Sequence, residues 1–465
     1  VIPLTLAEIT QTLGGRLVGG APDTVVSGSV ETDSRLVGAG SIFFALPGET
    51  TDGALFAPAA VEAGAALVVA ERELDLESPL IVVPDGVVAL ADLARLVVAR
   101  VRARGRLKVA AVTGSNGKTT TKNLLRAILD AEGATVAPEG SFNNHVGAPI
   151  SMLRVDDDTE YLVVEMGASH LGEIARLIGI VTPDVGIVLK VGLAHAGEFG
   201  GIDAVQRAKA EMVTDLPADA VALLHGDDPR VAEMAGMTKA RVVRFGVGDG
   251  NDVRADDVAT STSGTTFTYV ADGERHPVAL RILGEHHVVN ALAALATARE
   301  FGIPAERAIA AIQAIPRAER WRMEVLHPGD GVTVINDAYN ASPDSAAAAL
   351  KTLVQITPPD GRSIAVLGEM AELGEYADEE HDRLGLLAVR LNVAQLVVVG
   401  ERAKRIHASA GLQGSWDGES VFMPDADAAY AFLREELRPG DVVLVKSSKS
   451  AGLRFLGDRL GKVTA

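Results

Sequence analysis

The chain reads as an α/β protein of three domains with largely parallel sheets, and three observations predict it. Short Val/Ile/Leu runs alternate with Ala/Leu-rich amphipathic stretches along the chain, the pattern of buried strands with helices laid over them. Several apolar runs end at glycine, as in LKVAAVTG, YLVVEMG and DVGIVLKVG, and ligands in open α/β sheets gather at such strand ends. The length of 465 residues suits two to four domains at roughly 100 to 200 residues each.

Residues 1–83 form a first unit, in which the runs SIFFAL and AALVVA flank the turn-rich PGETTDG. A helix, VVALADLARLVVARVRARG, opens a second unit at 84–315. In that unit the stretch from about 241 to 283, with VVRFGVGDGNDV, TTFTYV and VALRIL, alternates in polarity and is expected as appended antiparallel strands. FGVGDG lacks a strand-then-helix setting and is expected as a hairpin turn. A helix follows from near His286, and Pro316 breaks the pattern. The third unit, 316–465, carries the strands VTVINDAY, SIAVLGEM, QLVVVG and DVVLVKSS. Within it Ser342 is placed to cap a helix with Pro343 at its first position and Asp344 at its positive end.

Composition narrows function. Apolar residues at 48% and charged residues at 23% suit a globular chain with ample core. A net charge of −19 opposes nonspecific attraction to nucleic acid or anionic lipid, and aromatics at 4% leave few stacking platforms for bases. With no cysteine, disulfides, thiolate metal sites and thiol nucleophiles are excluded, which agrees with a reducing cytoplasm. No signal peptide or membrane span is expected.

The strongest chemical signal is TGSNGKTTTK, residues 113–122, between a strand and a helix with Leu124, Leu125, Ile128 and Leu129 on one face. Gly114 and Gly117 let the backbone curl, the N–H groups of Ser115, Asn116 and Thr120 belong to the same segment, and the helix start attracts an anion. Lys118 can reach the β/γ-phosphates and Thr119 can offer a hydroxyl to Mg²⁺. Val112 stands where the eight-residue phosphate-loop pattern has glycine, so this is a shortened variant.

Glu165 ends an apolar run, where a lone carboxylate is costly unless a cation compensates it. His195, in GLAHAGEFG, follows the next strand, and with Thr119 and Glu165 it makes a plausible Mg²⁺ shell; each alone also reads as a satisfied structural polar group. Lys209 and Glu211 sit at helical spacing, for which an exposed charged face is the default. Asp337 ends the VTVIND strand, placed either for a ribose or metal or to start a turn.

Taken in order, TDSR, TGSNGKTT, SFNNHVGAPIS, VVEMGASHLGEI, AHAGEFG, AKAE, GEHHVVNALAA, NDAYNASPDS and LGEMAELGE with His381 resemble the Mur ligase family over nearly the whole chain. The resemblance implies a central P-loop ATPase-type domain with a mostly parallel sheet, a small N-terminal α/β domain that binds UDP, and a C-terminal Rossmann-like α/β domain. It implies that Lys118 and Thr119 serve ATP and Mg²⁺, that Glu165 and His195 serve the metal, and that Lys209 is carbamylated and joins them. It places Asn290 at the adenine, Arg322 at the phosphates, Asp337 at the ribose, Ser34 and Arg35 at the UDP, and Asn143 and Asn144 on a substrate-facing loop. His287, Lys190, Trp321 and Ser342 depart from the family's usual residues.

The activity so implied is ATP-dependent amide formation through an acyl phosphate, joining D-alanyl-D-alanine to a UDP-N-acetylmuramoyl-tripeptide in peptidoglycan synthesis, by a cytoplasmic monomer. NDAYNASPDS followed by LGEMAELG, without the DNPR of the branch that adds the third residue, favours that acceptor. The alternatives are that branch, a folylpolyglutamate synthetase-like ligase, or a non-catalytic ATP-binding switch. A hinge is expected near Pro316.

Overall fold

The computed structural model describes residues 1–48, 51–194, 196–315, 319–413 and 416–462. His195 and the hinge expected at Pro316 lie outside the described residues. Among the described residues there are four sheets, one of them a two-stranded ladder of Leu4–Thr5 with Val25–Val26.

The first large sheet has the order Arg16–Val18, Leu80–Val82, Leu67–Ala70, Ile42–Ala45, Val30–Glu31. Only its Arg16–Val18 edge is antiparallel. The runs SIFFAL and AALVVA supply its fully buried inner strands. Helix Gly86–Arg102 starts on Asp85, whose carboxylate accepts from Val88 N at 2.9 Å, and ends on Arg100 and Arg102, matching the helix dipole. Its Leu90, Leu93, Val97 and Val101 enter one core with Ile42 and Leu67 of the first sheet and Val109 and Val164 of the next. The helix therefore joins the first two units.

The central sheet has nine strands, ordered Glu274–Leu280, Gly264–Ala271, Val253–Ser261, Arg241–Gly246, Val221–His225, Val185–Val188, Lys108–Thr113, Tyr161–Glu165, Thr135–Val136. Pairing is parallel from Thr135–Val136 through to Val253–Ser261 and antiparallel beyond it. The antiparallel extension thus begins at 253 rather than 241. FGVGDG is correspondingly not a hairpin turn. It folds over the Asp227 carboxylate, which accepts from Val247 N and Gly248 N, so the chain loops back to enter Val253 parallel to its predecessor.

The last sheet has the order Glu324–Leu326, Thr333–Asn336, Val442–Lys446, Ser363–Leu367, Gln395–Val399, Glu419–Met423, parallel except at its first pair. Separate apolar cores cover its two faces. Helix Pro343–Ile356 follows Ser342 as expected, and helix His286–Glu300 is buried on nearly every side. Among the described residues no helix is long and apolar enough to cross a membrane.

Candidate active site

The turn after strand Lys108–Thr113 is held in a shape only glycine accepts easily. Gly114 has φ 151° and Gly117 φ 87°, values costly for side-chain-bearing residues. A Cβ on Gly114 would stand 2.9 Å from Leu189 Cβ, and one on Gly117 would strike the Asn290 side-chain oxygen. Ser115 anchors the turn to the exit of the neighbouring strand: its N–H donates to Lys190 O at 2.9 Å, and its hydroxyl bonds both Gly192 O (3.1 Å) and Gly192 N (2.9 Å). Lys118 opens helix Lys118–Asp130 and folds back to donate to Gly114 O at 2.6 Å. Burial lowers its pKa, the Glu165 carboxylate opposes this, and Arg322 adds to the lowering.

Glu165 ends strand Tyr161–Glu165 at 1% exposure. Its Oε1 accepts from Asn143 Nδ2 at 2.8 Å and from Thr119 Oγ1 at 3.3 Å, while Oε2 is buried without a partner. A buried carboxylate oxygen left free is costly. Beside the Thr119 hydroxyl it makes an all-oxygen donor set that fits Mg²⁺. No group of three or more His, Asp or Glu stands close enough to hold a metal among the described residues, which do not include His195.

The C-terminal unit closes over this turn. Arg322 Nη2 donates to Thr119 Oγ1 at 3.2 Å and to Ser141 Oγ at 3.3 Å, with the guanidinium 4.1 Å over the Tyr339 ring. Tyr339 OH donates to Ser141 Oγ at 3.2 Å. Ser342 Oγ donates to Asn116 Oδ1 at 2.9 Å, and Lys190 Nζ pairs with Asp344 at 3.0 Å. Asp337 follows strand Thr333–Asn336; its Oδ1 accepts from Met323 N at 3.0 Å and its Oδ2 pairs with Lys446 Nζ at 2.7 Å.

Between these elements lies a cavity of about 600 Å³. Of the expected residues, Ser115, Asn116, Gly117, Lys118, Thr119, Thr120, Asn143, Glu165, Asn290, Arg322 and Asp337 line it. Asn290 is largely committed to the protein: its Oδ1 accepts from Thr121 Oγ1 at 3.4 Å and its Nδ2 faces His287 Nδ1 at 3.2 Å. Burial holds His286 down to about 4 and pushes His287 well below the usual imidazole range, which favours the neutral rings.

Other expected residues stand elsewhere. Half-buried Ser34 and exposed Arg35 form a single turn capped by Asp33, which pairs with Arg35 at 2.5 Å; neither lines the cavity. Asn144 uses its side-chain oxygen to accept from Gly147 N at 2.8 Å, capping helix Gly147–Met152. Lys209, on helix Ile202–Thr214, is 2% exposed, which overturns the exposed charged face expected from spacing. It sits 5.6 Å from the Phe199 ring centroid, and burial, then the Lys118 charge, lowers its pKa to about 7 against the opposing pull of Glu173 and Glu211. Glu211 accepts from Gly172 N and Ala175 N at the start of helix Glu173–Ile178.

Sequence reasoning missed Ser141, Tyr339 and Lys446. Lys446 carried a usable signal, a charge at the end of an apolar strand run like that of Glu165; Ser141 and Tyr339 carried none.

Three family models match the chain: "Mur ligase family, catalytic domain" at residues 28–106, "Mur ligase middle domain" at 112–298, and "Mur ligase, glutamate ligase domain" at 321–449. The chain is 45% identical over 502 residues to UDP-N-acetylmuramoyl-tripeptide--D-alanyl-D-alanine ligase of Mycobacterium tuberculosis (strain ATCC 25618 / H37Rv), covering 99% of this chain and 98% of that one. It is 32% identical to the ligase of the same name from Escherichia coli (strain K12), with 97% of each covered. Among solved structures, MurF from Acinetobacter baumannii superposes with a TM-score of 0.89 at 31% identity, over 99% of each chain. The MurF ligase of Thermotoga maritima in complex with ADP gives 0.81 at 28%, over 93% of this chain and 97% of that one. With three family models in order along its length and relatives of this similarity matched end to end, the chain belongs to the Mur ligase family.

Proposed function

We propose that this chain is the ATP-dependent ligase that joins D-alanyl-D-alanine to UDP-N-acetylmuramoyl-tripeptide, forming the pentapeptide precursor of peptidoglycan. The observation that carries the ATP chemistry is the single cavity in which Lys118 and Thr119 of the phosphate turn meet Arg322 and Asp337 of the C-terminal unit. The acceptor and donor follow from full-length similarity to ligases of that name.

The tripeptide's terminal carboxylate attacks the γ-phosphate of ATP, giving an acyl phosphate and ADP. The amine of the dipeptide then attacks the acyl carbon; the C–N bond forms, phosphate leaves and the amine gives up a proton. Both steps crowd anions together, so the chain acts by charge and alignment rather than as a nucleophile. Lys118 and Arg322 neutralise the phosphates, Asp337 orients the ribose, and Asn290 shapes the base end through Gly117. Thr119 and Glu165, with His195, would hold magnesium, which when bound supplies further charge neutralisation at the phosphates.

Ser34 and Arg35 serve the UDP and Asn143 and Asn144 the muramoyl side in this reading. Carbamylation of Lys209 is supported by its pKa near 7, because only a neutral amine takes up carbon dioxide. The reading includes a cytoplasmic monomer acting on small substrates, and the charge of −19 opposes polyanions.

The test is mass analysis of the product from defined UDP-muramoyl tripeptides, ATP and D-alanyl-D-alanine, with phosphate release measured as each substrate is omitted. A product of another mass sinks the substrate assignment; phosphate release independent of both substrates sinks the ligase.

A further inference from the structure

Lys122 lies one turn beyond Thr119 on the phosphate-binding helix, and at 1% exposure it is among the most deeply buried cations of the described chain. Among the described residues its ammonium makes no hydrogen bond to a side chain. It donates instead to two backbone oxygens, Pro138 O and Gly140 O, both at 2.8 Å. A buried lysine loses much hydration and rotamer freedom, and it persists where charge-assisted bonds compensate for that loss.

Those two carbonyls lie three and one positions before Ser141, whose hydroxyl meets Thr119, Arg322 and Tyr339 at 3.2 to 3.3 Å. Two residues on, Asn143 donates to Glu165 Oε1, and its own carbonyl accepts from Gly167 N at 2.8 Å. A Cβ on Gly167 would stand 2.8 Å from Asn143 Oδ1, so that seat is close-packed. The 138–144 loop has no strand or helix to fix it. Its placement beside the phosphates depends on what grips its backbone.

We infer that Lys122 is a positioning residue: by clamping Pro138 O and Gly140 O to the phosphate-binding helix, it sets Ser141 and Asn143 where Arg322 and Glu165 need them. The inference rests on the ligase reading above. It adds a residue that touches neither nucleotide nor peptide substrate but couples their two sites. The carbonyl of Gly140 connects the ammonium to Ser141 through a single peptide unit, so a shift of the clamp moves the hydroxyl with it.

The test compares Lys122→Met, Ser141→Ala and the double variant with the parent enzyme, whose ligation is measured first so that failure of the ligase reading is seen separately. Expected for Lys122→Met is ADP affinity within twofold of the parent by calorimetry without divalent cation. Its KM for the UDP-muramoyl tripeptide rises at least tenfold or kcat falls at least tenfold, with the KM for ATP moving less than threefold. Amide exchange quickens in 138–144 and not in 114–119. The double variant is little worse than either single one, as for residues acting through one loop.

Kinetics within threefold of the parent would overturn the inference. So would an ATP KM rising as far as the tripeptide KM, or multiplicative defects in the double variant. If Lys122→Met does not fold, Ser141→Ala decides alone: a tripeptide-selective or kcat defect supports the clamp, and parental kinetics overturn it.

Discussion

Arg322 Nη2 stands 3.2 Å from Thr119 Oγ1, bridging 203 positions of sequence, with its guanidinium over the Tyr339 ring. A planar fork can stack and donate twice at once, and an ammonium cannot. Arg322→Lys should therefore lower kcat by about a hundredfold, the size typical of losing one preorganised charge contact, with the fold intact by circular dichroism. Turnover within threefold of the parent would remove Arg322 from the phosphate site.

Lys118 opens the helix after the glycine turn and donates to Gly114 O at 2.6 Å. Lys118→Ala should reduce ligation about a thousandfold and leave the melting temperature within a few degrees. Near-normal phosphate release would refute its role.

Gly197, in helix Ala196–Phe199, lies against the C-terminal unit: its N–H donates to Glu372 O at 3.2 Å, and a Cβ there would stand 2.6 Å from Gly374 N. Alanine suits helix Ala196–Phe199 locally, by about 0.5 to 1 kcal/mol over glycine, but the backbone at 374 cannot yield. Gly197→Ala should keep ADP affinity within threefold while ligation falls at least tenfold and small-angle scattering reports a wider particle. A variant as active and as compact as the parent would contradict this.

Burial lowers Lys209 from 10.5 to about 7. Below pH 7 the lysine is charged in both folded and unfolded chains, and the full cost of burying an ammonium is present. Between pH 7 and about 10 the unfolded chain binds the extra proton, so this group's contribution to stability rises with pH. In carbon dioxide-free buffer, where the amine carries no carbamate, Lys209→Met should stabilise the fold by up to about 4 kcal/mol at pH 7, less as pH climbs, in urea titrations at pH 7 and 9.5. A pH-independent difference would refute the shift. For the carbamate, Lys209→Ala should lose activity that a small added carboxylate partly restores; intact activity would count against it.

Lys446 and Asp337 form a pair at 2.7 Å with Lys446 4% exposed. Removing one partner strands the other, so Lys446→Met should cost about 3 to 5 kcal/mol. Adding Asp337→Asn should recover part of that loss. Simple additivity in denaturant titrations would show the two to be uncoupled.

The layered α/β class, the glycine turn with Lys118 and Thr119, the buried face of Leu124, Leu125, Ile128 and Leu129, and the cap at Ser342 were all legible from residues. Each depends on neighbours within a few positions: the period of apolar residues, the φ that glycine alone permits, the hydroxyl that precedes a proline-led helix. Glu165 was legible too, because a carboxylate closing an apolar strand is a local contradiction.

What the sequence alone determined, then, was the layered order of strands and helices and the glycine turn that opens helix Lys118–Asp130. Tertiary structure decided the rest. It buried Lys209, whose spacing had suggested solvent; it turned FGVGDG into a link between parallel strands; it spent Asn144 on a helix cap; and it brought Ser141, Tyr339 and Lys446 to the cavity. Those outcomes depend on strand order and on closure of the last sheet over the second, which pair groups up to 226 residues apart. Burial and hydrogen-bond partners are properties of such long-range packing, and no local pattern encodes them.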